Sequence, residues 1–411
     1  MVFFVSYKIY NEAKWEERTL TMSELTSKLN GLLQQAIDRG EIAGANLLIL
    51  KDGSELVYTE AGYANVEKAT PFKRDTICRI YSMSKPITAT AAMILVERGL
   101  LELGQPVGDI LPEFRDMKVY EDGRRVPARR CILVKDLMCM TSGLSYGGED
   151  TAGQQVWRIL EDMDARLYGA NPVSTEELVK RIASCDLSFH PGEQWMYGTS
   201  ADVLGYVIQK VTGVPYGEFL QKEIFGPLGM TDTGFYVPEE KKVRLADAYE
   251  RTPDGIKVYE TNHLGIRYNG VGAPAFESGG AGLLSTVDDY SKFATMLMNG
   301  GTYNGVQILK PATVDFMTKA KLTPWQQESV WRSWDGMYGY TYSNLLRIMV
   351  EPGMAQFNTW KGEYGWDGWL GTYFINSPSN KVTILLMCQR RDAGTMDITK
   401  RIRNVLAANL D

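Results

Sequence analysis

Both ends of this 411-residue chain carry the same pair of local signals in mirrored order, a helix beside a hairpin, and that restricts what it can fold into. At the start, Thr21-Met22-Ser23-Glu24 reads as a capping box, followed by Leu25, Leu29, Leu32 and Ala36 on one helical stripe and Gly40 as its stop. Two strand-like runs, 45–50 and 55–60, then flank Asp52-Gly53, a pair favoured in tight hairpin turns. At the other end, runs 371–376 and 381–388 flank Ser377-Pro378-Ser379-Asn380, and a last helix from Met396 carries Ile398, Ile402 and Val405. The pattern predicts an α/β fold of the α+β type: one mixed, largely antiparallel sheet, closed by both termini and flanked by terminal helices.

The middle of the chain reads differently. From about Leu101 to Gly270 it is helical patches between glycine- and proline-bearing loops, with few β-branched alternations. The division expected is an extension over 1–21 with no readable motif, an α/β subdomain begun by 22–100, a mostly helical insert over 101–275, and completion of the α/β subdomain by 276–411. Within the insert, 134–144 reads as a short helix breaking at Gly143, and 201–211 as a helix with Thr199-Ser200-Ala201-Asp202 as its capping box. After it, the 279–286 run reads as a strand leading into a helix with Tyr290, Phe293, Ala294 and Leu297 on one face.

Several function classes lose support. The net charge of −6 and the lack of a basic run argue against a nucleic-acid partner, and 44% hydrophobic content suits a large core and a small-molecule substrate. Met1-Val2-Phe3-Phe4-Val5 is too short for a signal-peptide core and no later run reaches membrane-spanning length, so no membrane partner and a cytoplasmic location are expected. The five cysteines, Cys78, Cys131, Cys139, Cys185 and Cys388, are odd in number and mostly in apolar settings, as reduced packing residues would be. No His-Glu-x-x-His, paired Cys-x-x-Cys or Walker loop occurs, so neither metal nor cofactor is expected. Oligomeric state is not legible.

Only two histidines exist, His190 and His263, and no Gly-x-Ser-x-Gly elbow accompanies them. Any catalytic base is therefore expected not to be histidine. Attention falls instead on Ser82-Met83-Ser84-Lys85, at the mouth of an apolar helix built from Ile87, Ala91, Ile94 and Leu95 and stopped by Gly99. Residues three apart on a helix are neighbours, so the Lys85 amine can reach the Ser82 hydroxyl. A serine hydroxyl needs an adjacent base, and a lysine of ordinary pKa near ~10.4 serves only where burial or positive charge makes it release its proton. The positive end of the helix helps on both counts. Pro86 is tolerated in the first turn.

Further motifs follow in order: Met140-Thr141-Ser142-Gly143-Leu144, Phe189-His190-Pro191-Gly192-Glu193-Gln194-Trp195-Met196-Tyr197, Val203-Leu204-Gly205, Phe225-Gly226-Pro227-Leu228-Gly229-Met230, the 279–285 run and Trp366-Asp367-Gly368. Over roughly residues 22–410 this series resembles the serine β-lactamase and penicillin-recognising superfamily, in its class C-like branch that includes the family VIII carboxylesterases. The resemblance implies a β-lactamase/transpeptidase-like fold with the site between sheet and insert. Ser82 is then the nucleophile, Lys85 holds and relays the proton, and Tyr197 acts as general base or proton donor. The third motif is expected on an edge strand, with the N–H groups of Ser82 and Trp369 as the oxyanion hole.

Departures from the family pattern bear on substrate. Tyr197-Gly198-Thr199 lacks the usual asparagine of Tyr-x-Asn, and Trp366-Asp367-Gly368 replaces Lys-Thr-Gly, so weak β-lactamase activity and uncharged ester substrates are implied. Trp366, Asp367, Gly368, Tyr146 and Trp195 are candidate substrate contacts, with Phe235 and Trp360 as further pocket walls, and Asp367 as a bias against anions. A literal Tyr342-Ser343-Asn344 lies outside the expected context, and Tyr197 is favoured over Tyr342. The leading expectation is a carboxylesterase forming an acyl-Ser82 intermediate on short-chain esters. Alternatives with the same apparatus are an acyltransferase, a D-amino-acid peptidase or amidase, and a weak β-lactamase; a non-catalytic binding or assembly protein is the alternative from another class.

Overall fold

The computed structural model describes residues 20–410. The Met1–Val5 run and almost all of the 1–21 extension lie outside the described residues.

The capping box at Thr21 forms, its hydroxyl and backbone N–H both engaged by Glu24, and α1 runs Met22–Asp38. It leads to β1 (Gly44–Lys51) and β2 (Ser54–Asn65), joined through Asp52 and Gly53 at φ 51° and 77°, the left-handed pair a two-residue hairpin turn requires. A short β3 (Thr70–Pro71) follows, and the sheet is then left for more than two hundred residues. It resumes with β4 (Tyr340–Ser343), β5 (Leu346–Met349), β6 (Tyr364–Asp367), β7 (Tyr373–Ser377) and β8 (Val382–Cys388). The strand order is β4-β5-β6-β7-β8-β1-β2-β3, antiparallel throughout. The first and last long strands meet at its centre, Leu47 opposite Leu386 and Leu48 opposite Leu385.

Period-two alternation sends neighbouring residues to opposite faces. Leu47, Ile49, Ile375, Ile384 and Leu386 pack with Leu25, Leu29 and Leu33 of α1 and with Ile398, Ile402 and Leu406 of the C-terminal helix, Asp397–Ala407. Leu48, Phe374, Leu385 and Met387 face the other way, into a larger core shared with α2 (Ser84–Glu97), with the insert and with the helix Val287–Met298. The site opens on that second face. Among the described residues no helix is long and apolar enough to cross a membrane, and no cluster of three or more His, Cys, Asp and Glu residues could hold a metal ion.

Four local expectations change. The insert carries two small hairpins, Lys118–Glu121 with Arg124–Pro127 and Tyr249–Thr252 with Gly255–Val258. The helix from Val134 stops at Cys139, because Met140 takes the left-handed conformation (φ 57°) before Gly143 is reached. Of the 279–286 run only Leu284–Ser285 is a strand, paired with Cys78–Arg79. The third motif is not on an edge strand: β6 lies between β5 and β7, although β5 pairs only with its first half, at Tyr364 and Gly365. The half bearing Trp366 and Asp367 extends past that pairing, toward the site.

Candidate active site

Ser82 sits in a single tight turn, Tyr81–Met83, that runs straight into α2. Tyr81 before it has φ 42°, a costly conformation for a residue with a Cβ. It is held there by its ring, buried and packed 5.1 Å from the Trp369 ring. Helix α2 is buried from Ser84 to Leu95, with no polar face turned to solvent until its last turn. Lys85 consequently enters the protein interior, with 0% of its surface exposed.

Three groups meet the Lys85 amine: the Ser82 hydroxyl at 3.2 Å, the Tyr146 phenol oxygen at 3.2 Å and the Gly280 carbonyl at 2.8 Å. Burial lowers the amine pKa to about 7, against the opposing charges of Asp202 and Asp367. An uncharged amine has two N–H groups and one lone pair. The Gly280 carbonyl can only accept, and the Tyr146 hydroxyl directs its own proton to Asp202 at 3.4 Å and so also accepts. The lone pair is left for the Ser82 hydroxyl.

Tyr197 closes the other side. Its ring lies under the Lys85 amine, 4.4 Å from the centroid, and its phenol lies beside Ser82 and accepts from the Trp366 indole N–H at 3.0 Å. Burial pushes the Tyr197 and Tyr146 phenols above the usual tyrosine range, and the bond from Trp366 only partly offsets this for Tyr197. Both phenols therefore stand protonated while the amine is poised near neutrality.

Asp202 holds the opposite wall. It accepts from the Ser278 hydroxyl at 2.5 Å and from the Gly280 N–H at 3.0 Å, fixing the turn whose carbonyl receives Lys85. A Cβ at Gly280 would lie 2.6 Å from the Tyr146 oxygen, so only glycine lets this turn approach. The capping box expected from Thr199 and Asp202 does not form: the Thr199 side chain makes no capping bond to the helix Ser200–Thr212. Asp202 is drawn instead into this buried network, where its carboxyl is pushed up by burial.

From the sheet side, Gly368 packs its backbone on the turn before Ser82; a Cβ there would lie 2.4 Å from the Ile80 carbonyl oxygen. Trp369, the next residue, is fixed by its indole. The N–H donates to Asp392 at 2.7 Å, and the His263 ring stacks on it with centroids 4.1 Å apart. His263 stands at the tip of a tight turn in which Leu264 and Gly265 both have positive φ (55° and 71°) and the Gly265 N–H donates to Asp164 at 2.7 Å. Burial lowers the His263 pKa to about 4, leaving the ring neutral at physiological pH.

These groups surround a cavity of about 520 Å³, within the range of small-molecule sites. Ser82, Tyr146, Tyr197, Asp367, Gly368 and Trp369 all line it, and among the described residues no lysine or arginine does. Tyr146 is more than the wall expected of it, since it also touches Lys85. Trp366 and Trp195 are not in the wall. Trp366 is fully buried behind Tyr197, and Trp195 lies behind both, packed on Tyr197 and Tyr342. Phe235 fills the space at Gly282 and Tyr216, and Trp360 stacks on Arg403 in the layer of the terminal helices. Asp367 does not present a free charge: Arg347 pairs with it at 2.9 Å and the Thr395 hydroxyl donates to it.

Tyr342 packs edge-on to Trp366, 5.0 Å between centroids, and Asn344 with Leu345 forms the left-handed turn to β5, so this stretch is a hairpin of the core. His190 accepts from the Arg129 N–H at 3.2 Å, bracing the segment before Pro191 away from the cavity. No sequence motif marks His263, Trp334 or Asp392. All three line the cavity, and only the scarcity of histidine hinted at any of them.

The family model described as Beta-lactamase matches residues 29–409. The chain belongs to the beta-lactamase family. Within it, the chain is similar to Protein Rv1367c of Mycobacterium tuberculosis (strain ATCC 25618 / H37Rv), 32% identical over 87% of this chain and 88% of that one. It is also similar to Esterase EstB of Burkholderia gladioli, 34% identical over 66% of this chain and 69% of that one. Among solved structures it resembles EstCE1, described as a hydrolase with promiscuous acyltransferase activity, with a TM-score of 0.80, 26% identity, and coverage of 94% of this chain and 99% of that one. The chain thus has the beta-lactamase fold of a serine-hydrolase family with esterase and acyltransferase relatives.

Proposed function

We propose that the protein is a carboxylesterase that cleaves esters uncharged around the reacting bond, through an acyl-enzyme on Ser82. The observation that carries this is the Lys85 amine, fully buried, poised near pH 7 and 3.2 Å from the Ser82 hydroxyl with its lone pair unclaimed by other neighbours. As Ser82 Oγ attacks the ester carbonyl, Lys85 takes the hydroxyl proton. The N–H groups of Ser82 and Trp369 receive the developing oxyanion; Gly368, seated on Ile80, brings them together. When the C–O bond breaks, Tyr197 gives its phenol proton to the departing alkoxide, and the proton held on Lys85 passes to the resulting phenolate, which leaves the amine uncharged for the second half of the reaction. Water reverses the sequence: its proton passes to Lys85, the acid leaves, and Ser82 regains its hydrogen.

The absence of a cation from the cavity wall favours esters over β-lactams, whose carboxylate has nothing there to grip it. Acyl transfer to an alcohol in place of water is a second reading, supported by the side activity of EstCE1 and by a cavity with more room than a short acyl chain fills. Peptidase and amidase chemistry has no observation specifically in its favour. Ser82→Ala tests the proposal: it abolishes hydrolysis of 4-nitrophenyl butyrate and labelling by a fluorophosphonate. Retained hydrolysis refutes the nucleophile, and failure of the native protein to label supports a non-catalytic member of the fold.

A further inference from the structure

Behind Trp334 and Thr395, which also line the catalytic cavity, lies a second cavity of about 400 Å³. Arg347 of β5 lies in its wall, with only 4% of the side chain exposed. The guanidinium is engaged at one end. Nη1 donates to Asp367 at 2.9 Å and to the Thr395 hydroxyl at 3.0 Å. Its faces lie over the Tyr373 and Tyr340 rings at 5.1 and 5.4 Å. Nε and Nη2, both buried, have no hydrogen-bond partner among the described residues. Those two N–H groups run parallel along one edge of the planar group, the arrangement that clasps both oxygens of a carboxylate.

Lys400, from the C-terminal helix, lines the same cavity. Its amine is 3.2 Å from the Gln356 side-chain oxygen and 3.6 Å from the carboxylate of Asp397, which is largely in solvent. Asp335, also exposed, is the carboxylate in the wall. Asp367 already balances the Arg347 charge, so the unpaired, buried edge offers directed donors to a carboxylate that displaces its covering side chains, and Lys400 offers the attraction.

We infer that this second cavity is a carboxylate subsite, and that the ester taken by Ser82 bears a free carboxylate remote from the scissile bond, reaching past Trp334 to the Nε–Nη2 edge of Arg347. The inference rests on the esterase reading for the ester, and on Arg347 and Lys400 for the anion. It divides recognition in two: the reacting end meets a wall free of cations, and the far end meets a donor fork.

The test uses matched 4-nitrophenyl monoesters of straight-chain dicarboxylic acids of increasing length, one of each pair with its remote carboxylate free and the other capped as a methyl ester. The expected result is a chain length at which the free acid exceeds its capped partner about tenfold in kcat/KM, through a lower KM, as one charge-assisted hydrogen-bonded pair supplies. Arg347→Lys and Lys400→Gln each bring that ratio toward one. Because Arg347→Lys also disturbs the Asp367 pair and the fold around it, the half-exposed Lys400 gives the second, independent variant. Binding is read apart from turnover by melting temperature with ω-phenyl fatty acids and their primary amides: the acids raise it, the amides do not, and Arg347→Lys removes the difference. Capped esters equal to or better than free acids at every length, with acids and amides stabilising alike, overturn the subsite. Stabilisation by acids in a protein that turns over no ester overturns the esterase reading and upholds the subsite.

Discussion

The Trp366 indole N–H donates to the Tyr197 phenol oxygen at 3.0 Å, from a strand on the far side of the site. The tryptophan of the third motif thereby aims the tyrosine and leaves the cavity wall to Trp369. Trp366→Phe keeps an aromatic ring in the buried slot and removes the donor. A neutral hydrogen bond of this kind is worth about 0.5–1.5 kcal/mol, so steady-state kinetics should show kcat lowered about three- to tenfold with KM little changed.

Lys85 sets a pH dependence in both rate and stability. The uncharged amine is the working form and titrates at about 7, so kcat/KM rises with pH through 7 and then levels. For stability the sign follows from a folded pKa below the unfolded one. Between 7 and the ordinary lysine range the unfolded chain binds the extra proton, so stability rises with pH across that window, and the cost of burying the amine is felt in full below it. Thermal melts of Lys85→Met against wild type should show the variant's relative advantage largest near pH 6 and shrinking toward pH 10.

Asp392 and His263 hold the Trp369 indole, and through it the backbone N–H assigned to the oxyanion. Asp392→Ala should lower kcat about tenfold, whereas Asp392→Asn, which keeps the acceptor oxygen, should retain most of it. A parallel pair, His263→Ala and His263→Phe, separates loss of stacking from loss of imidazole. Phenylalanine should restore the rate.

Gly368 has no room for a methyl group, with Thr372 Oγ1 at 2.2 Å and the Ile80 carbonyl oxygen at 2.4 Å from the Cβ position. Gly368→Ala should destabilise by about 1–3 kcal/mol in denaturant titration. It should also cost more activity than that loss explains, because the 368–369 backbone must withdraw from Ser82.

The parts of this architecture legible in the sequence are those written within a few residues. The Thr21 capping box, the Asp52-Gly53 turn, the alternation in β1 and β8, and the Ser82–Lys85 spacing each depend on local geometry, and together they place strands from both ends of the described chain side by side in one sheet, with the Ser82–Lys85 helix beneath it. Less was legible where a side chain had two uses. Asp202 stands where a capping residue would, yet buried donors from Ser278 and Gly280 compete for it and win. Asp367 reads as an exposed charge until Arg347, twenty residues away, is brought beside it. Tyr342-Ser343-Asn344 imitates a catalytic motif while serving as a strand and its turn. The wall formed by His263, Trp334 and Asp392 joins segments up to about 130 residues apart, with no local pattern to mark it.

The central claim is that a buried amine, with no imidazole involved, activates Ser82. The most direct measurement is the pH dependence of Ser82 labelling by a fluorophosphonate, followed by intact mass in the wild type, in a His190→Ala/His263→Ala double variant and in Lys85→Met. A rise in labelling rate centred near pH 7 that persists in the histidine-free protein and vanishes in Lys85→Met is the predicted result. A rise that disappears with the histidines, or survives without Lys85, contradicts the account.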